Sequence, residues 1–120
     1  MKTWAVVGLG NNPERAAFGV AKLLQDKGHR IIPVYPRAET VHGEVGYKTL
    51  SEIPGSVEVV DCFVNSTLVG KVVDEAIAIG AKAVWLQLDV IDNDAIARAQ
   101  AAGLLTVMDR CPAIEYRARA

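Results

Sequence analysis

The sequence predicts an α/β domain: a doubly wound parallel sheet of about five strands in a Rossmann-like, three-layer arrangement. Three observations predict it. Five short apolar runs of strand length alternate with segments of helical periodicity. Each helical segment ends at a glycine, namely Gly28, Gly80 and Gly103. A chain of 120 residues is one domain's worth, so residues 1–120 are expected to form a single unit.

The elements follow in order. Trp4 to Gly8 is an apolar run closing on glycine, as a strand buried on both faces does. Asn11 or Asn12 is placed to cap a helix whose first position is Pro13, where a missing N–H costs nothing. Ala16, Ala17, Val20, Ala21 and Leu24 then recur at helical spacing, and Lys27 and Gly28 end the helix. Arg30 to Tyr35 is the second strand; Pro33 inside it puts a missing ladder hydrogen bond at the strand's end or at a sheet edge. Pro36 to Gly55 is irregular, with a short helical turn at Leu50 to Ile53. Val57 to Val64 is the third strand, and Ser66 or Thr67 caps the helix that carries Leu68, Val69, Val72, Val73, Ala76 and Ile77. Ala83 to Leu88 is the fourth strand, Asp92 caps the last helix, and Leu104 to Met108 is the fifth strand. The polar tail from Asp109 to Ala120 is expected to wrap the surface.

Regular alternation implies right-handed crossovers, two on each side of the sheet, with strand order 3-2-1-4-5. The order then reverses between the first and fourth strands, and ligands in such sheets bind outside the carboxyl ends of the strands at that reversal. The residues expected there are Gly8 to Arg15 and Gln87 to Asp89, with Tyr35 to Arg37 and Val64 to Thr67 on the same rim.

Composition removes several functions. Thirteen basic against fourteen acidic residues give a net charge of -1, too little positive field to hold a nucleic-acid backbone. No apolar run is long enough to span a membrane, and the start of the chain reads as a strand rather than a secretory signal. Two cysteines, Cys62 and Cys111, make neither a disulfide framework nor a zinc site, so a reducing, cytoplasmic compartment is the simplest reading.

Gly8-Leu9-Gly10 stands between a strand and a helix, the context of a dinucleotide-binding loop. Backbone N–H groups at such a turn, together with the helix N-terminus, attract a phosphate. Pro13 replaces the third glycine of the dinucleotide pattern, and Arg15 is a cation in a first helical turn. A bound anion explains Arg15; a solvated side chain is the alternative. After the second strand come Tyr35, Pro36 and Arg37, with no carboxylate at the tip and Glu39 two residues further on. A basic residue there suits a phosphorylated ribose, as in NADP or in coenzyme A. Tyr35 either stacks on an adenine or covers the sheet edge.

Several segments together resemble the small CoA-binding domain proteins, stand-alone relatives of the amino-terminal domain of the succinyl-CoA synthetase alpha subunit. They are Ala5-Val6-Val7-Gly8-Leu9, Asn11-Asn12-Pro13 with Arg15, Ile32-Pro33-Val34, Gly80-Ala81-Lys82, Val84-Trp85-Leu86-Gln87, and Val107-Met108-Asp109-Arg110-Cys111-Pro112 with Ile114-Glu115. The resemblance runs in order along nearly the whole chain. It implies a Rossmann-like domain that binds coenzyme A or an acyl-CoA. The family's phosphate loop falls on Gly8, Leu9, Gly10, Asn11, Asn12, Pro13 and Arg15, its second-strand tip on Tyr35, Pro36 and Arg37, and its third-strand tip on Val64, Asn65 and Ser66. Three positions depart from it. The family commonly has serine where Gly10 stands and asparagine where Tyr35 stands, and it often has two arginines where Val64 and Asn65 stand. Each lost charge-assisted hydrogen bond to phosphate is worth roughly 1.5–3 kcal/mol.

The remaining polar residues read as structural. Cys62 lies in a strand, and Cys111 is either a packed small residue or a thiol activated by Arg110. His29 falls in a surface turn, and His42 in the loop near Arg37. Asp89, Asp92 and Asp94 lack the oxygen-ligand spacing of a cation loop. Trp4 and Trp85 are core residues of strands expected to be neighbours. Gln87 either reaches a ligand at the reversal or bonds loop backbone. No catalytic constellation and no metal set emerge, so the expectation is a non-catalytic binder of a small nucleotide ligand. The alternatives are a small NADP-dependent reductase and an interaction module that has lost its nucleotide.

Overall fold

The computed structural model describes residues 2–112. Five parallel strands form one sheet: β1 (Thr3–Val7), β2 (Arg30–Val34), β3 (Val59–Cys62), β4 (Ala83–Leu86) and β5 (Leu105–Val107). Three helices join them, α1 (Ala16–Asp26), α2 (Ser66–Ala78) and α3 (Asn93–Ala101), with a single 3₁₀ turn at Leu50–Glu52. Alternation along β1 divides the core. Trp4 and Val6 meet Ala17, Val20, Ala21 and Leu24 of α1. Ala5 and Val7 face the other way, into a cluster with Leu50, Val69 and Val73 of α2, and Ala95 and Ala99 of α3. The α/β, three-layer expectation therefore holds.

The strand order does not. It is β2-β1-β3-β4-β5, not 3-2-1-4-5. Pro33 supplies the reason. Its carbonyl points away from β1 and accepts from Tyr47 N at 3.0 Å, and Tyr35 N donates back to Tyr47 O at 2.9 Å. The outer side of β2 thus lacks one donor and is covered by an isolated bridge to Tyr47, so β3 is accommodated beside β1. The helices are distributed unevenly as a result. Among the described residues, α1 covers one face and the 3₁₀ turn, α2 and α3 cover the other. The expected two-and-two division is replaced by one and three. The reversal of strand order moves to the gap between β1 and β3.

Element ends also shift. α1 starts at Ala16, not at Pro13, because Asn12 is spent on the turn before it: Asn12 Oδ1 accepts from Glu14 N at 3.0 Å and its carbonyl accepts from Arg15 N at 3.1 Å. The residue capping α2 is Asn65, without a side-chain bond. Ser66 instead ties two loops together, donating to Asp89 O at 3.3 Å and accepting from Ile91 N at 2.9 Å. Asp92 caps α3 as expected, accepting from Ala95 N at 3.0 Å. The tail from residue 113 onward lies outside the described residues. Among the described residues no helix is long and apolar enough to cross a membrane.

Candidate functional site

Gly8 closes β1 at the point where β1 and β3 part. Its N–H donates to Val34 O at 2.8 Å, so this amide belongs to the sheet and not to a ligand. Its φ is +99°, and a Cβ there would overlap the Phe63 carbonyl oxygen. Glycine is required here for close approach of the two strand ends. Three more amides of this stretch are engaged within the chain: Asn11 N donates to Glu39 Oε1 at 2.8 Å, and Glu14 N and Arg15 N donate to Asn12.

Two cavities meet at Gly8 and Arg15. The larger, about 410 Å³, has the loop residues Gly10, Asn11, Asn12 and Pro13 on one side and Tyr35, Arg37 and Glu39 on the other. The smaller, about 280 Å³, is lined by Ala16 and Ala17 of the first turn of α1, by Phe63, Val64 and Asn65 after β3, and by Gln87, Leu88 and Val90 after β4. Cys111 closes its far side and packs against the α1 face of the core. Of the fourteen residues expected at the site, eleven line one cavity or both. Three do not. Leu9 is fully buried in the core, Pro36 is exposed outside both cavities, and Ser66 is the loop tie described above.

Both helices that open on the smaller cavity lack a side-chain cap and an acidic residue in the first turn. Their first N–H groups and partial positive charge thus face the mouth of the site. Arg15 and Arg37 add two cations to the larger cavity, and Glu39 adds one anion. Among the described residues neither arginine is in an ion pair.

Asp61 lies beneath this surface, a residue the apolar third strand hid. It is fully buried on the α1 face, level with Val6 and Trp85. Gln87 Nε2 donates to its Oδ1, and its Oδ2 has no partner among the described residues. Burial pushes the carboxyl up to about 8, partly offset by the Gln87 bond. Gln87 therefore does both things considered for it: it lines the smaller cavity and is fixed by a hydrogen bond, though to a carboxyl and not to backbone. Burial first and the neighbouring Asp61 second push the Cys62 thiol well above its ordinary range, in keeping with its packing role.

The histidines stand outside both cavities. His42 packs against Phe18 with tilted rings 4.3 Å apart and Nε2 2.8 Å from Phe18 O, and His29 lies against Trp4 at 5.5 Å rather than in open solvent. Trp4 and Trp85 pack at 5.7 Å across the α1 face.

Glu39 and Asp61 are the residues sequence reading undervalued. In the sequence Glu39 stands two residues beyond Arg37, past the tip of the second strand. The fold returns it through a left-handed Ala38 (φ +50°) and a turn bond from Ala38 N to Tyr35 O at 2.8 Å. Asp61 carried a signal, a single carboxylate inside an otherwise apolar strand beside Cys62.

Comparison with known proteins assigns the family. Residues 2–117 match the model of the CoA binding domain, and the chain belongs to that family. The uncharacterized protein YneT of Bacillus subtilis is 33% identical over 110 residues, which span 92% of this chain and 82% of that one. The alpha subunit of acetate–CoA ligase (ADP-forming) II of Pyrococcus furiosus is 38% identical over 71 residues; the match covers 54% of this chain and 16% of the subunit. A hypothetical protein from Pyrococcus horikoshii OT3 superposes with a TM-score of 0.93 at 39% identity, covering 98% of this chain and 82% of that one.

Proposed function

We propose that this member of the CoA binding domain family binds coenzyme A or an acyl-CoA across the two adjoining cavities, without catalysing a reaction of its own. The observation that carries the reading is the junction at Gly8 and Arg15, where an elongated ligand passes from one cavity to the other past the first turn of α1. The diphosphate lies over Gly10 to Pro13 with Arg15, where the helix end and a cation act on it together. The adenosine lies toward Tyr35 and the ribose phosphate toward Arg37. The pantetheine arm runs into the smaller cavity, between Asn65 and the Gln87 amide. That cavity is bordered by Phe63, Val64, Leu88 and Val90, which suits a chain of alternating apolar and amide groups.

Thermal-shift titration with coenzyme A, acetyl-CoA, NADP and NAD tests the reading. Ligand at a hundred times its dissociation constant adds about 2.7 kcal/mol of stability. A shift with the CoA compounds alone is expected. A shift confined to the nicotinamide cofactors overturns the assignment, and no shift with any of them supports an interaction module that has lost its ligand. Arg37→Ala sharpens the test. It should weaken coenzyme A about tenfold and its 3′-dephospho form much less. Equal losses would place Arg37 away from that phosphate.

A further inference from the structure

We infer that Glu39 is an internal competitor for the anion-binding end of the loop: its carboxylate holds an amide that a ligand phosphate needs, and it must turn away before a diphosphate docks. This rests on the coenzyme A reading above. Glu39 Oε1 accepts from Asn11 N at 2.8 Å inside the larger cavity. The carboxylate thus stands in for an anion on the loop itself.

The backbone that delivers Glu39 is held from several sides, which makes the contact a built feature. Ala38 is kept in the left-handed region by the turn from Tyr35. Asn11 Nδ2 donates to Thr40 O at 2.7 Å, tying the next residue to the same loop. Gly46 passes so close to the Glu39 carbonyl that any Cβ would overlap it. Beyond, His42 and Gly43 both have positive φ between paired Val41 and Glu44, a tight hairpin that Gln25 Nε2 anchors to α1 through His42 O at 3.1 Å.

Gly10 belongs to the same arrangement. A Cβ at Gly10 would lie 2.9 Å from Glu39 Oε1, so the glycine makes room for the carboxylate. One amide serves one anion at a time. A singly charged ligand gains little by replacing one carboxylate with another. A diphosphate, drawn also by Arg15, Arg37 and the α1 end, displaces it. Glu39 therefore lowers affinity generally and favours ligands with several phosphate charges.

Calorimetric titration of the wild-type chain, Glu39→Gln and Gly10→Ala with coenzyme A and with inorganic pyrophosphate tests this. Glu39→Gln removes the charge at constant shape; Gly10→Ala crowds the carboxylate off the amide and adds no polar group of its own. Both variants should bind coenzyme A and pyrophosphate about tenfold more tightly than wild type. The Asn11 amide resonance should move in both before ligand is added. Unchanged or weaker binding by both variants, while wild type binds coenzyme A, overturns the competitor and leaves the coenzyme A reading standing; a loss in Glu39→Gln alone would make Glu39 a ligand contact instead. Tighter pyrophosphate binding by the variants with no coenzyme A binding by any chain supports the competitor and removes the coenzyme A reading. Binding of neither probe by any of the three removes both.

Discussion

The N-termini of α1 and α2 differ in construction from that of α3. At α3, Asp92 accepts the Ala95 amide at 3.0 Å and Asp94 adds a charge in the first turn. At α1 and α2 the capping positions are Arg15 and Asn65, neither of which bonds its helix through its side chain, and no acid follows. The first arrangement completes a helix with its own atoms and lies outside both cavities. The second leaves donors facing cavities at the reversal of strand order. Stability of order 1 kcal/mol per helix end is thus used at α3 and forgone at α1 and α2. The difference separates a helix end that serves the fold from two that are available to a ligand.

The largest expected effect comes from the backbone that holds the two open ends together. Gly8→Val must place a side chain on the Phe63 carbonyl from a left-handed backbone. It should cost on the order of 4 kcal/mol and unfold a marginal domain, as thermal melting will read. A variant that melts with wild type would show that the β1 and β3 ends are not set by this contact.

Asp61→Asn acts below the open ends. The folded carboxyl titrates at about 8, far above its ordinary 3.8, so the wild-type fold loses stability as pH rises between those values and keeps it below 3.8. The asparagine variant should therefore melt higher than wild type at pH 8, with the gap closing toward pH 4. A gap independent of pH would mean the carboxyl is not the source.

The smallest effects exchange the two kinds of helix end. Arg15→Asp gives α1 a cap and a favourable charge and should add about 0.5–1 kcal/mol while weakening coenzyme A at least tenfold. Asp92→Ala should cost about 1 kcal/mol and leave that affinity unchanged. Equal ligand effects from the two would erase the distinction drawn between the helix ends.

Periodicity and glycine punctuation were enough to place the strands and the three helices of the described residues, because burial on two faces and capping by glycine are local demands. Strand order was not local. It turned on the outer side of β2, where Pro33 and a bridge from Tyr47, fourteen residues away, occupy the margin. Helix starts went wrong where a polar residue had two possible partners: Asn12 chose the preceding turn over α1, and Ser66 chose the Asp89–Ile91 loop over α2. The phosphate loop was legible from its strand–glycine–helix context. The Glu39 contact was not, since it needs Ala38 in a conformation that its residue type disfavours. Leu9 illustrates the opposite error: being in a loop motif did not keep its side chain out of the core.

Pro33 has one more consequence. A second copy approaching the β2 side meets a blunt border, with one amide proton missing and the adjoining carbonyl engaged by Tyr47. A sheet can be extended between molecules only along a row of open donors and acceptors. The domain is therefore guarded on that flank against edge-to-edge stacking by the pyrrolidine ring of a single residue.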